Sequence, residues 1–316
     1  MAFTTPDVAA AAASDTTEAR SSARPTSIGP GGSRLRGARW WSEIGWRYLV
    51  AAAMIVVCVF PLLYALSAAL NPAGTLTGSY ELFRVVSPEN FAALWDTPFW
   101  LWMKNSIVVA SLTAVGTVLM GAAAAYAFSR FRFAGRRAGL TTLLLLQMFP
   151  QMLAFVAIFL VLLAVGDVFP ALGLNSHLGL VCVYLGGALG VNTFLMYGFF
   201  NTVPCELDEA AKIDGASHAQ IFWRIIMRLV TPILTVVGLL SFIGTYSDFI
   251  IARVVLQRSE QFTLAIGLYN WGSDERNAPW GLFAAGAVLA AIPVVLLFLA
   301  LQRYIVSGLT AGSTKG

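Results

Sequence analysis

Residues 204–228, PCELDEAAKIDGASHAQIFWRIIMR, are polar and charged, yet they lie between two long apolar runs. Helix signals follow one another through the stretch. Pro204 suits the first turn of a helix, where its missing N–H costs nothing, and Glu206, Asp208 and Glu209 come next, at that helix's positive end. Gly215 is a stop signal. Ser217 followed three residues later by Gln220 is a capping-box pattern, which starts a second helix with Ile221, Phe222, Ile225 and Leu229 on its apolar face. The stretch predicts two short helices at an angle, folded against a membrane surface.

The rest of the chain supplies that membrane. Of 316 residues 58% are hydrophobic and 11% charged, and the mean hydropathy is +0.75, outside the range of a soluble domain. Six apolar segments, 48–70, 105–128, 139–165, 178–200, 229–250 and 282–302, each approach the roughly 20 residues a helix needs to cross a bilayer. The predicted fold is an all-α membrane protein of six transmembrane helices. The third segment holds Gln147, Pro150 and Gln151, which predicts a kink whose freed backbone groups face protein or water. Gly186 and Gly190 in the fourth have small-x-x-x-small spacing, a weak signal of close helix contact. Trp40, Trp41 and Trp46, interleaved with Arg39, Glu43 and Arg47, suit the headgroup layer. Residues 1–39, rich in Ala, Ser, Thr, Pro and Gly without apolar periodicity, are expected to form a disordered cytoplasmic tail, with 40–316 as the membrane domain.

Fifteen of the twenty Lys and Arg fall on the N-terminal side of such a six-span chain. The positive-inside rule then places both termini and residues 204–228 in the cytoplasm of a cell-membrane protein. The net charge of +4 does not by itself suggest a nucleic-acid partner.

Several kinds of chemistry are missing. No G-x-x-x-x-G-K-[ST] loop occurs, so any ATP must be handled by another subunit. Cys58, Cys182 and Cys205 are far apart, and His177 and His218 lack neighbours at metal-ligand spacing, so neither a disulfide framework nor a metal site is expected. No span centre carries an ionisable residue, against a self-sufficient secondary carrier or channel. An intramembrane enzyme lacks any catalytic constellation at one depth.

The pattern E-A-A-x-x-x-G, here Glu209, Ala210, Ala211 and Gly215, with Ile225 ten residues on, resembles the EAA loop of binding-protein-dependent ABC transporter permeases. VNTFLMYGFFNTVPCELDEAAKIDGAS resembles the carbohydrate-uptake branch of that family. TLAIGLYNW and the closing WGLFAAGAVLAAIPVVLLFLALQRYIVSGLTAGSTKG are similar to the maltose-type shorter permease of a heterodimeric pore. The resemblance covers about residues 48–316. It implies an importer of a maltose- or maltodextrin-like carbohydrate, with the cytoplasmic loop seated in a separate ATPase dimer that binds ATP and Mg. It also implies a second homologous permease and an extracytoplasmic sugar-binding protein. Glu206, Glu209, Ala210, Ala211, Asp214 and Gly215 become the expected coupling residues, with no cofactor in this chain.

The family pattern ends I-x-L-P, whereas Met227 and Arg228 stand here, which lets the helix continue towards Pro232. Arg228 snorkels to lipid phosphate or meets an acid on the ATPase. Thr314 and Lys315 lie in a small, flexible tail that either resembles the ATPase-contacting tail of maltose-type permeases or frays. Asn270, Trp271, Asp274, Glu275, Arg276 and Trp280 suit a sugar or binding-protein surface, or an ordinary interfacial loop. Asp248, the one acid in a predicted span, faces the mouth of a pathway or ends a helix at the outer interface.

Overall fold

A computed structural model of the chain describes residues 45–72, 82–273 and 278–311, with the backbone alone at 151, 152 and 305–311. The predicted tail 1–39 lies outside the described residues, as do Asp274, Glu275, Arg276, Thr314 and Lys315. The chain divides into Met1–Cys58 and Val59–Gly316. Helix α1, Trp46–Ala69, runs through that boundary and contains Pro61. All other described elements belong to the second unit, and every one of them is helical.

After the short α2, Glu89–Ala93, comes α3, Phe99–Arg130, an uninterrupted helix of 32 residues. It starts at Phe99 rather than 105, because Pro98 caps it and the first turn buries Phe99 and Trp102. The third predicted span is two helices, α4, Arg136–Gln147, and α5, Phe155–Val168, with Pro150 and a 3₁₀ turn, Gln151–Ala154, between them. The expected kink is therefore a full interruption: Pro150 is extended (ψ 110°) and disfavours helix at the residue before it. Gln147 at the end of α4 donates from Nε2 to Gly187 O at 2.7 Å. A Cβ at Gly190 would stand 2.8 Å from Leu143 O and 2.5 Å from the Gln147 side chain, so only glycine lets α4 approach; Gly186 has open space.

α6, His177–Phe200, is N-capped by Ser176, whose Oγ accepts from Gly179 N at 3.3 Å. It leads through a turn to α7, Glu206–Ile213, and α8, His218–Leu229. α9, Thr231–Ser247, α10, Ile250–Val255, α11, Leu264–Gly272, and α12, Trp280–Ala311, complete the chain. α1, α3, α6 and the Trp280–Tyr304 part of α12 are long and apolar enough to cross a membrane, and α8 with α9, bent by 79°, makes a fifth candidate. The described residues make an all-helical membrane protein with four to five such spans.

Two apolar cores lie along α3. Phe99, Trp102, Met103, Val109 and Ala110 join one that includes Leu256, Leu264 and Ile266. Ala122, Ala125 and Tyr126 join another, with Met196, Phe200, Ala211, Ile221 and Ile226. Between them Thr113 and Thr117 are buried, and Ser241 Oγ on α9 donates to Thr117 Oγ1 at 3.1 Å.

Candidate functional site

The helix pair at the second core follows from its sequence. Cys205 is the N-cap of α7, its carbonyl accepting from Asp208 N at 3.0 Å and Glu209 N at 3.1 Å. Pro204 thus precedes the cap instead of standing in the first turn, while Glu206, Asp208 and Glu209 occupy that turn as expected. At the other end Ala216 N donates to Ala211 O and Gly215 N to Lys212 O, closing a Schellman motif around Gly215 at φ +81°. Ser217 then caps α8 in the predicted box, with Gln220 N donating to Ser217 Oγ at 3.3 Å and Ser217 N donating to Gln220 Oε1 at 2.8 Å.

α8 departs from its expected face. Ile221–Ile226 form a π-helix, whose i to i+5 bonding brings residues five apart onto one side. Ile221 and Ile226 are consequently both fully buried beside Phe222, whereas Leu229 is exposed and Ile225 half-buried. The helix does run past Met227 and Arg228, but it ends at Leu229. Val230 breaks it (φ −93°, ψ 8°), Thr231 Oγ1 donates to Met227 O and Arg228 O, and Pro232 lies in the first turn of α9.

The inward face of α7 is held by charge as well as by packing. Asp208 and Ala211 are buried. Arg130 Nε, from the last residue of α3, lies 2.7 Å from Asp208 Oδ2, and both side chains are 7% exposed. The N–H points away from the line of a good hydrogen bond, and Asp208 Oδ1 is buried without a hydrogen-bond partner among the described residues. The same guanidinium donates from Nη2 to Val203 O at 2.9 Å and from Nη1 to Cys205 Sγ at 3.6 Å. Tyr126 packs on Phe222 and Phe131 on His218, each with ring centroids 5.1 Å apart, so the end of α3 holds both short helices. A cleft of about 560 Å³ opens here, lined by Arg130, Arg132, Arg136, Asp208, Glu209 and Lys212.

The outward face carries most of the expected coupling residues. Glu206, Glu209, Ala210, Asp214 and Gly215 are exposed, but Ala211 is buried, since neighbours on a helix point about 100° apart. Ile213, which sequence reasoning passed over, is 87% exposed. It shares one face with Glu206 and Ala210 by helical spacing. The Arg130–Asp208 pair was missed too, because the two residues are 78 positions apart in the chain and no local pattern joins them.

The remaining candidates are dispersed. Both carboxylate oxygens of Asp248 accept from Ile251 N at 3.2 Å, which caps α10. Asn270 is exposed, whereas the Trp271 ring packs on Trp102 (5.3 Å) and Phe99 (6.4 Å). His177 Nε2 lies 2.9 Å from Gln261 O, and no cluster suited to a metal occurs among the described residues.

The described residues thus form a set of long apolar helices with an ion-paired pair of short helices packed on the end of α3, in a chain without a P-loop. The chain belongs to the family described as "Binding-protein-dependent transport system inner membrane component", whose profile matches residues 102–311, and it is a permease subunit of a carbohydrate ABC importer. It is similar to the galactooligosaccharides transport system permease protein GanQ of Bacillus subtilis (strain 168), 41% identical over 273 residues, covering 85% of this chain and 94% of that protein. The maltodextrin transport system permease protein MdxG of the same organism is 38% identical over 270 residues, 85% and 95% of the two chains. The maltose/maltodextrin transport system permease protein MalG of Escherichia coli (strain K12) is 36% identical over 282 residues, again 85% and 95%. A chain in the crystal structure of a bacterial ABC transporter involved in the import of the acidic polysaccharide alginate shares the fold, with a TM-score of 0.71 at 22% identity over 85% of this chain and 99% of that one. This subunit is a transport component and not itself an enzyme.

Proposed function

We propose that the chain forms one half of the pore of an ATP-driven importer of a maltodextrin-like oligosaccharide and that α7 and α8 are its coupling loop. Six spans are formed if α4 and α5 together cross the membrane as one span broken at Pro150. Both termini and residues 204–228 then face the cytoplasm, with 1–39 as a tail and 40–316 as the membrane domain. The observation that carries this reading is the two-sidedness of α7: Asp208 and Ala211 are buried against the bundle, while Ile213 is 87% exposed beside Glu206, Glu209, Ala210 and Asp214. An apolar knob ringed by acids and left uncovered suits a groove on another subunit.

The partners are an ATPase dimer that binds ATP and Mg, a second homologous permease and an extracytoplasmic sugar-binding protein. Gly215 shapes the loop without touching the ATPase through a side chain. Thr314 and Lys315 remain candidates for a second ATPase contact, and Asp248, Asn270 and Trp271 for the sugar or binding-protein side. Among these the exposed Asn270 is favoured, because the Trp271 ring is engaged in packing and the Asp248 carboxylate in capping.

The test is cross-linking and uptake in cells that express the whole transporter. A cysteine at Ala210 is expected to cross-link to the ATPase, and membranes are expected to take up maltotetraose only with ATP. Uptake by this chain alone, without ATP, would refute the reading.

A further inference from the structure

α3 is fastened at both ends. At one end Arg130 holds α7 through Asp208 and Val203 O. At the other, three residues within its first two turns hold the segment 256–264. Trp102 Nε1 donates to Ser259 O at 2.9 Å, and Asn105 Nδ2 donates to Glu260 O at 3.1 Å and to Phe262 O at 3.0 Å. Leu264 N donates to Ser106 Oγ at 2.7 Å. Trp102, Asn105 and Ser106 are all buried, and the bonds to Phe262 O and from Leu264 N are shielded from competing water, while those to Ser259 O and Glu260 O are part-buried. Asn175 and His177, at the start of α6, grip the same segment, since Asn175 Oδ1 accepts from Gln257 N and Arg258 N.

Between its fastenings α3 has no break. Asn105 and Arg130 are separated by about 38 Å at 1.5 Å per residue, more than the ~30 Å hydrocarbon layer. The other long elements except α6 carry a proline or a break: Pro61 lies within α1 and Pro293 within α12, residues 136–168 are divided at Pro150, and α8 and α9 meet at 79°. α6 is also unbroken, but it reaches α7 only through the turn at 201–205, whose Val203 O is itself held by Arg130 of α3. α3 grips α7 directly, by a buried charge pair.

We propose that α3 is the connecting rod of this subunit, with Arg130 and Asn105 as positioning residues that fasten it to the ATPase-facing helix and to the segment 256–264 on the opposite membrane face. The proposal rests on the reading of α7 and α8 as the coupling loop. A displacement of α7 on ATP binding is delivered along the rod to 256–264, which moves as a clamped unit. Fastenings in series have a signature: removal of either one interrupts the signal, and removal of both does no further harm.

The experiment uses the complete transporter in nanodiscs. An environment-sensitive fluorophore is attached to a cysteine at Arg258, an exposed position, with Cys58, Cys182 and Cys205 replaced by serine. ATP with vanadate is the probe, and trapped nucleotide is measured in parallel. The parent is expected to change its fluorescence. Asn105→Ala is expected to reduce that change at least about fivefold, the lower range of allosteric coupling, with trapped nucleotide unchanged, and Arg130→Met to reduce it as far per trapped nucleotide. The double variant should match the singles. A parent without a response, a full response in Arg130→Met, or a double variant that loses more than either single would overturn the rod. Where Arg130→Met does not accumulate, Asn105→Ala alone carries the test, at the far end of the helix. Failure of the ATPase to bind the parent chain would instead overturn the coupling-loop reading.

Discussion

Arg130 Nε and Asp208 Oδ2 stand 2.7 Å apart with both side chains 93% buried, joining the last residue of α3 to the first turn of α7. Removal of one partner strands the other in a low-dielectric site. Asp208→Leu is expected to destabilise the purified chain by about 3–5 kcal/mol, and the double variant Arg130→Met/Asp208→Leu to regain most of that loss. Unfolding followed by SDS titration in detergent measures both, and additive losses would show that the charges do not depend on each other.

Ile213 makes no such contribution to the chain itself, because it is almost fully exposed. Ile213→Asp should leave unfolding within about 0.5 kcal/mol of the parent, as surface changes do. Co-purification of the ATPase should nevertheless fall sharply. Retention of the ATPase at parental levels would remove Ile213 from the docking face.

Gly215 sits at φ +81°, where an L side chain costs about 1–2 kcal/mol, and the Ser217 cap is worth about 0.5–2 kcal/mol. Gly215→Val and Ser217→Ala should both lower uptake while the protein still inserts in the membrane. Hydrogen exchange at Gln220 N, the amide that Ser217 caps, should speed up in Ser217→Ala. Unchanged exchange there would mean that the cap is dispensable.

Gly190 faces Gln147 and Leu143 O so closely that a larger residue must push α4 away. Gly190→Val should cost about 1–3 kcal/mol as an overpacked contact. Gly186→Ala, with open space around it, should be nearly neutral in the same SDS titration. Equal effects at the two sites would show that α4 does not pack on α6 as described.

The orientation proposed above can be checked by labelling. A cysteine at Arg137 should be shielded from an impermeant maleimide in intact cells, and one at Arg258 should react. Reversed labelling would invert the topology.

The long helices and the helix pair could be read directly from the residues, because apolar run length and capping patterns are local properties. Ser217 with Gln220 and Gly215 fell where their chemistry places them. What could not be read depended on distant partners. Pro150 marked the interruption, but only the fold shows Gln147 bonding to Gly187 O across to α6. Alternation along α8 pointed to Leu229, because helical periodicity assumes 3.6 residues per turn and the π-helix breaks that spacing. The adjacent alanines looked equivalent, although one is buried and the other free. Trp271 suited a sugar or binding-protein surface or an ordinary interfacial loop, and its packing on Phe99 and Trp102 depends on residues about 170 positions away.

The π-helix at Ile221–Ile226 also bears on how this segment tolerates changes in length. A π turn is reached from an α-helix by inserting a single residue, so the segment behaves as a phase adjuster. Deleting one residue there would leave an ordinary helix in which Ile221 and Ile226 stand four positions apart and still share one side, so the two ends would keep nearly the same orientation. Local helix stability would barely register the change. Only a second deletion, with no wider turn left to close, would rotate Glu209 and Ala210 by about 100° relative to α9, which makes this segment the place where the helix pair can absorb a change of one residue.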